Sequence, residues 1–113
     1  MDYDTCFRLY NRGMLDFELL PDYDLLFNQA CARGNVAFAQ DLIKAGADPA
    51  NFGFLAVDSA IANNQTASLD FLAKVPGVPE FIYTKYEDMG YKNTLGPHAK
   101  TLIQQFLLEK TLN

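Results

Sequence analysis

Apolar positions recur at helical spacing through the middle of this chain and are interrupted at regular points by glycine and asparagine. Residues 25–51, LLFNQACARGNVAFAQDLIKAGADPAN, carry the clearest form of the pattern. They predict two short helices, joined at Gly34-Asn35 and closed by Gly46-Ala47-Asp48-Pro49. Ala39, Leu42 and Ile43 give the second helix an apolar stripe at i, i+3 and i+4 spacing. Ala30, Ala32, Ala39 and Ala45 are small enough to let helices approach closely. One such hairpin cannot bury its own apolar face, so it predicts stacked neighbours.

A second copy follows at a shift of 30 residues. Leu55-Ala56-Val57-Asp58-Ser59-Ala60 falls on Leu25-Leu26-Phe27-Asn28-Gln29-Ala30, and the register continues with Ala32 on Ala62, Gly34 on Asn64 and Leu42 on Leu72. The turn in this copy is Asn63-Asn64, and asparagine, like glycine, tolerates a left-handed backbone. The pattern also extends backwards. Leu9-Tyr10-Asn11-Arg12-Gly13 matches Leu42-Ile43-Lys44-Ala45-Gly46 at a shift of 33. Asp4–Arg12 therefore reads as the second helix of an incomplete first repeat, with Asp4 or Thr5 as N-cap and Gly13 as its stop.

The C-terminal third is less regular. Val75-Pro76-Gly77-Val78-Pro79 ends the second copy, and Pro79 opens a short helix over Glu80–Tyr86. Asp88–Gly96 is a turn-rich loop. Pro97 opens a last helix to Lys110, with Leu102, Ile103, Phe106 and Leu107 as its apolar stripe. This segment is expected to cap the array, whose ends need a polar outer face.

On these residues the chain resembles the ankyrin repeat family, whose repeats of about 33 residues pair two antiparallel helices and a protruding turn. Ala30, Gly34, Ala39, Leu42, Ile43, Gly46, Ala47 and Asp48 fall on the family pattern in the first copy, and Gly53, Ala60, Leu69 and Leu72 in the second. The Thr-Pro pair of the family is absent from both copies. The stretch from Gly46 to Leu55 is shorter than that from Gly13 to Leu25, which clips the second finger. The resemblance implies an all-α fold, a short ankyrin-like solenoid of about three repeats with divergent caps. It divides a single domain, residues 1–113, into a half repeat over 1–20, a repeat over 21–51, a repeat with a shortened finger over 52–78 and a cap over 79–113.

Composition agrees with a folded chain. Of 113 residues, half are apolar and 13% aromatic, enough for a real core. The formal net charge of −5 disfavours nucleic-acid backbones and anionic membrane surfaces. No apolar run approaches the roughly 20 residues that span a bilayer. The acidic start MDYDTCFRLY does not have the form of a signal peptide. Cys6 and Cys31 are far apart and outside any CxxC pattern, so they are expected to be reduced core residues of a cytoplasmic protein. A compact module also fits a pathogen effector delivered into a host cell.

Candidate chemistry is sparse. His98 is the lone histidine, and no sequence neighbour supplies the nucleophile or orienting carboxylate a general base needs. Asp-x-Asp at 2–4 and at 22–24 does not continue into a calcium loop. No phosphate-binding or nucleophile-elbow motif occurs. The expectation is no cofactor, no metal and no catalysis.

Charge instead points to a partner. Residues 1–24 hold Asp2, Asp4, Asp16, Glu18, Asp22 and Asp24 against only Arg8 and Arg12, so most of the net charge lies at this end. In ankyrin-like arrays the fingers and first helices form a concave contact face. On that basis Asp16, Glu18, Asp22 and Asp24 would steer a basic patch of a protein partner, and Tyr23, Phe52 and Phe54 would anchor it. Asn28, Arg33, Asp58 and Asn63 would lie on or near the concave side. Phe52-Gly53-Phe54 leaves two readings open: protruding anchors, or a short finger that folds one phenylalanine onto the stack. The resulting expectation is a protein–protein interaction module acting as inhibitor, adaptor or effector. The alternatives are a structural subunit of a larger complex and, third, an enzyme using His98.

Overall fold

The computed structural model describes residues 2–88 together with Thr101, Gln104, Gln105 and Leu108. Among the described residues the fold is all-α, without a strand. α1 spans Tyr3–Asn11, followed by a 3-10 turn at Phe17–Leu19. α2 is Tyr23–Ala32 and α3 is Val36–Ala45. α4 is Asn51–Ala62 and α5 is Thr66–Leu72. α6, Val78–Ile82, runs on into a π-helical turn at Tyr83–Asp88. No described helix is long and apolar enough to cross a membrane.

Local chemistry sets the helix boundaries. The α1 cap is Asp2 rather than Asp4 or Thr5: its carboxylate accepts from the Thr5 N–H at 2.8 Å, and the Thr5 side chain together with this N–H holds its pKa below the ordinary value. Asp22 caps α2 through the Leu25 N–H at 3.0 Å. Gly13, Gly34 and Gly46 stop α1, α2 and α3 with φ of +69°, +77° and +132°. Asn64, with φ of +53°, takes the corresponding place between α4 and α5. α6 begins two residues before the expected Glu80, because Gly77 at φ +91° starts it and Pro79 lies within its first turn.

α2 packs on both α3 and α4, α4 packs on α5 and α6, and α3 touches α5. Phe27, Phe38, Leu42, Leu72 and Ile82 are the largest fully buried side chains, each worth about 1.5–3 kcal/mol of burial. Of the small residues expected to permit close packing, Ala30 and Ala39 are fully buried, while Ala32 and Ala45 are half-buried. Ala56 and Ala60 of α4 are buried as well. α1 joins through aromatic contacts: Tyr3, Phe7, Tyr10 and Phe17 surround Phe38 of α3, with ring centroids 4.7–6.3 Å from it. Cys6 and Cys31 are free and fully buried, and burial pushes the Cys31 thiol up to about 12.

Thr101, Gln104, Gln105 and Leu108 are helical and exposed. The rest of the expected 88–96 loop and 97–110 helix, including His98, lies outside the described residues, save that Asp88 ends the π-helical turn.

Candidate interaction surface

Two side-chain bridges fix how α2 meets α4. Near the start of α2, Asp24 Oδ1 accepts from the Asp48 N–H at 2.8 Å, just ahead of α4. One turn later, Asn28 Nδ2 donates to Asn51 Oδ1 at 2.7 Å, and Asn51 Nδ2 donates to Asn28 Oδ1 at 3.2 Å and to the Asp48 carbonyl at 2.6 Å. Asn51 is the first residue of α4. The starts of α2 and α4 therefore lie at the same end of the molecule.

This pairing decides which side chains face outward. On α2 the buried set is Leu26, Phe27, Asn28, Ala30 and Cys31, while Leu25 and Arg33 are exposed with Gln29 half-buried between them. On α4 the buried set includes Ala56, Val57 and Ala60, while Leu55 and Asn63 are exposed with Ser59 half-buried between them. Each outward row follows i, i+4 and i+8 spacing, one stripe of a helix.

The expected partner-facing residues divide over this frame. Asn28 is interior, 5% exposed, because its amide is committed to Asn51; it is removed from the surface. Arg33 caps α2 at the exposed edge, with its guanidinium 4.3 Å from the Tyr3 ring centroid. Beneath it, burial raises the pKa of the Tyr3 phenol, whose oxygen accepts from Asn35 Nδ2 at 2.6 Å. Asn63 ends α4, and its amide donates to the Ser59 carbonyl at 2.8 Å. Asp58 is half-buried and pairs with Lys85 Nζ at 2.8 Å.

The acidic residues are structural caps as well as surface charges. Asp16 Oδ1 accepts from the Glu18 N–H at 3.0 Å and so starts the 3-10 turn. Asp16, Glu18 and Asp22 are exposed and Asp24 is half-buried. The caps use Oδ1 of Asp16, Asp22 and Asp24. Among the described residues none of these four acids forms an ion pair. Tyr23 is turned inward: its hydroxyl donates to the Phe17 carbonyl at 2.7 Å and its ring lies alongside Gly46.

Phe52-Gly53-Phe54 forms one left-handed turn, with φ of +49°, +61° and +61°. The backbone turns right-handed at Leu55, where the pattern of the second copy starts. Left-handed geometry costs a non-glycine residue about 1–2 kcal/mol. Its consequence is to separate the two rings. Phe54 is half-buried, with its ring 5.1 Å from that of Phe81 and against Gly77. Phe52 is 81% exposed. The segment thus folds one phenylalanine, Phe54, against α6 and leaves the other, Phe52, projecting into solvent.

Met14, Leu19, Leu25 and Leu55 join Phe52 as large exposed apolar side chains, with Leu19 second to Phe52 in exposure at 74%. Of these, the sequence marks Phe52 alone as a candidate contact. The available signal was three successive apolar residues at Leu25-Leu26-Phe27, since adjacent helical positions do not share a face. A shallow open depression is lined by Gly77, Glu80, Phe81, Thr84 and Lys85, at the start of α6 and on the π-helical turn. Among the described residues no group of three or more His, Cys, Asp or Glu side chains is arranged to hold a metal ion. No protein-family model, curated protein or solved structure matches this chain.

Proposed function

We propose that this chain is a protein-binding module, an ankyrin-like stack of antiparallel helix pairs that contacts a protein partner through the outward rows of α2 and α4 and the segments leading into them. The repeat reading is supported by the 30-residue offset, by the parallel starts of α2 and α4, and by positive φ at both Gly34 and Asn64. The binding reading is carried by Phe52. A strained left-handed turn holds a large aromatic ring in solvent, where it contributes little to folding. Strained backbone persists where the surrounding structure imposes it and is concentrated at functional sites, and aromatic side chains are favoured interface anchors.

The test is affinity capture from the cells that produce the protein. Wild type is compared with a Leu25→Asp/Phe52→Asp variant that retains the helical circular dichroism spectrum. Both residues are exposed, so the variant is expected to fold. Loss of a reproducibly captured protein supports the reading; equal capture by both forms overturns it.

A further inference from the structure

We infer that the partner segment received by this surface is cationic and amphipathic, an inference that rests on the binding-module reading. The apolar part comes from Met14, Leu19, Leu25, Phe52 and Leu55, all exposed and all within the α1–α2 connection or the starts of α2 and α4. The charged part comes from Asp16, Glu18, Asp22 and Asp24, which lie in the same connection and first turn. No lysine or arginine occurs between Arg12 and Arg33. Arg33 itself sits at the far end of α2, stacked over Tyr3.

The carboxylates are held in place as well as concentrated. Asp16, Asp22 and Asp24 each anchor one oxygen to a backbone N–H, so a lysine or arginine meets acceptors already oriented. A second copy of this chain fits poorly as the occupant, because self-association through this face would bring the same acids together. An anionic lipid surface is disfavoured for the same reason. A segment with apolar residues flanked by Lys or Arg satisfies both parts of the surface.

The experiment places a photo-crosslinking benzophenone side chain at position 52, with a control at the exposed Gln40 of α3, and irradiates each protein in extracts of the producing cells adjusted to a set salt concentration. Crosslinked peptides are identified by mass spectrometry. The expected segment, seen from position 52 and absent from position 40, carries more Lys and Arg than Asp and Glu, with apolar residues among them. A companion protein combines Asp16→Asn, Glu18→Gln, Asp22→Asn and Asp24→Asn. Asparagine keeps the caps while removing the charge. Its crosslinking yield is expected to fall about tenfold at low salt. That difference should shrink as salt shortens the screening length from about 30 Å to about 10 Å. An acidic or uncharged crosslinked segment, a crosslink to a second copy, or an unchanged yield in the neutralised protein overturns the inference while leaving the binding-module reading standing. No specific crosslink from position 52 overturns both.

Discussion

Asn28 and Asn51 meet in the interior, where each amide donates to the other's oxygen at 2.7 and 3.2 Å. The pair joins α2 to α4 and gives two buried amides their partners. Asn51→Ala would strip Asn28 of both bonds and is expected to cost about 1–3 kcal/mol, the penalty of an unsatisfied buried polar group. Urea unfolding measures it. The double variant Asn28→Ala/Asn51→Ala should cost less than the sum of the single ones, since the second deletion removes the orphaned amide. Strict additivity would argue against the pairing.

Gly34 is held by two constraints that can be separated. Its φ is +77°, and a Cβ placed there would lie 2.5 Å from Gln65 Oε1, at the start of α5. Gly34→Ala is expected to destabilise by about 1–3 kcal/mol. Gln65→Ala in the same protein should restore the steric part and leave about 1 kcal/mol from the left-handed backbone. Gly13→Ala meets nothing within 4 Å at φ +69°, so it reports the backbone part alone. Thermal unfolding of the three variants distinguishes the contributions.

The two phenylalanines of the left-handed turn should respond in opposite directions. Phe54→Ala removes a ring packed against Phe81 and Gly77, with an expected loss of about 2–3 kcal/mol, below the value for a fully buried phenylalanine. Phe52→Gly removes an exposed side chain from a left-handed residue, with an expected gain of about 1 kcal/mol. Loss of stability in Phe52→Gly would mean that this ring supports the fold.

Tyr10 makes a pH-dependent contribution at the alkaline end. Its hydroxyl donates to Asp41 Oδ2 at 2.6 Å, and that bond, with burial, pushes the phenol up to about 12 from an ordinary value near 10. The folded state therefore holds this proton more tightly than the unfolded state. The stabilisation is fully present below pH 10 and is lost as pH rises from about 10 to about 12. Tyr10→Phe should flatten the stability profile across that window. Phenolate absorbance of wild type should show one more late-titrating tyrosine than that of the variant, in which Tyr3 remains raised by burial.

Much of the helical order was legible in the sequence because glycine and asparagine stops are local signals. Gly34, Gly46 and Asn64 end helices where the pattern indicates, with the backbone signs that those residues favour. The surface was less legible. Whether Asn28 or Leu25 faces outward depends on the rotation of α2, which packing against α4 sets through Asn51, 23 residues away. The left-handed turn was hidden because glycine at 53 marks only one of its three residues. The opposite fates of Phe52 and Phe54 depend on Phe81 and Gly77, more than 20 positions onward. The sequence marks the acids at 16–24 as a concentration of charge, and it does not show that three of them also begin or brace a turn.

The contacts that close each helix pair are supplied by the next one. The Ser68 hydroxyl of α5 donates to the Cys31 carbonyl of α2 at 2.7 Å, Gln65 covers Gly34, and Asn51 completes Asn28. A cut within the chain at Ala50, which is exposed, would divide each of these pairings between two fragments. Each fragment would keep the packing within its own helices but present an unfinished face, and each would carry the missing half of the other's. The protein is thus suited to be split there and reassembled by mixing, with recovery of helicity reporting that the halves have found one another.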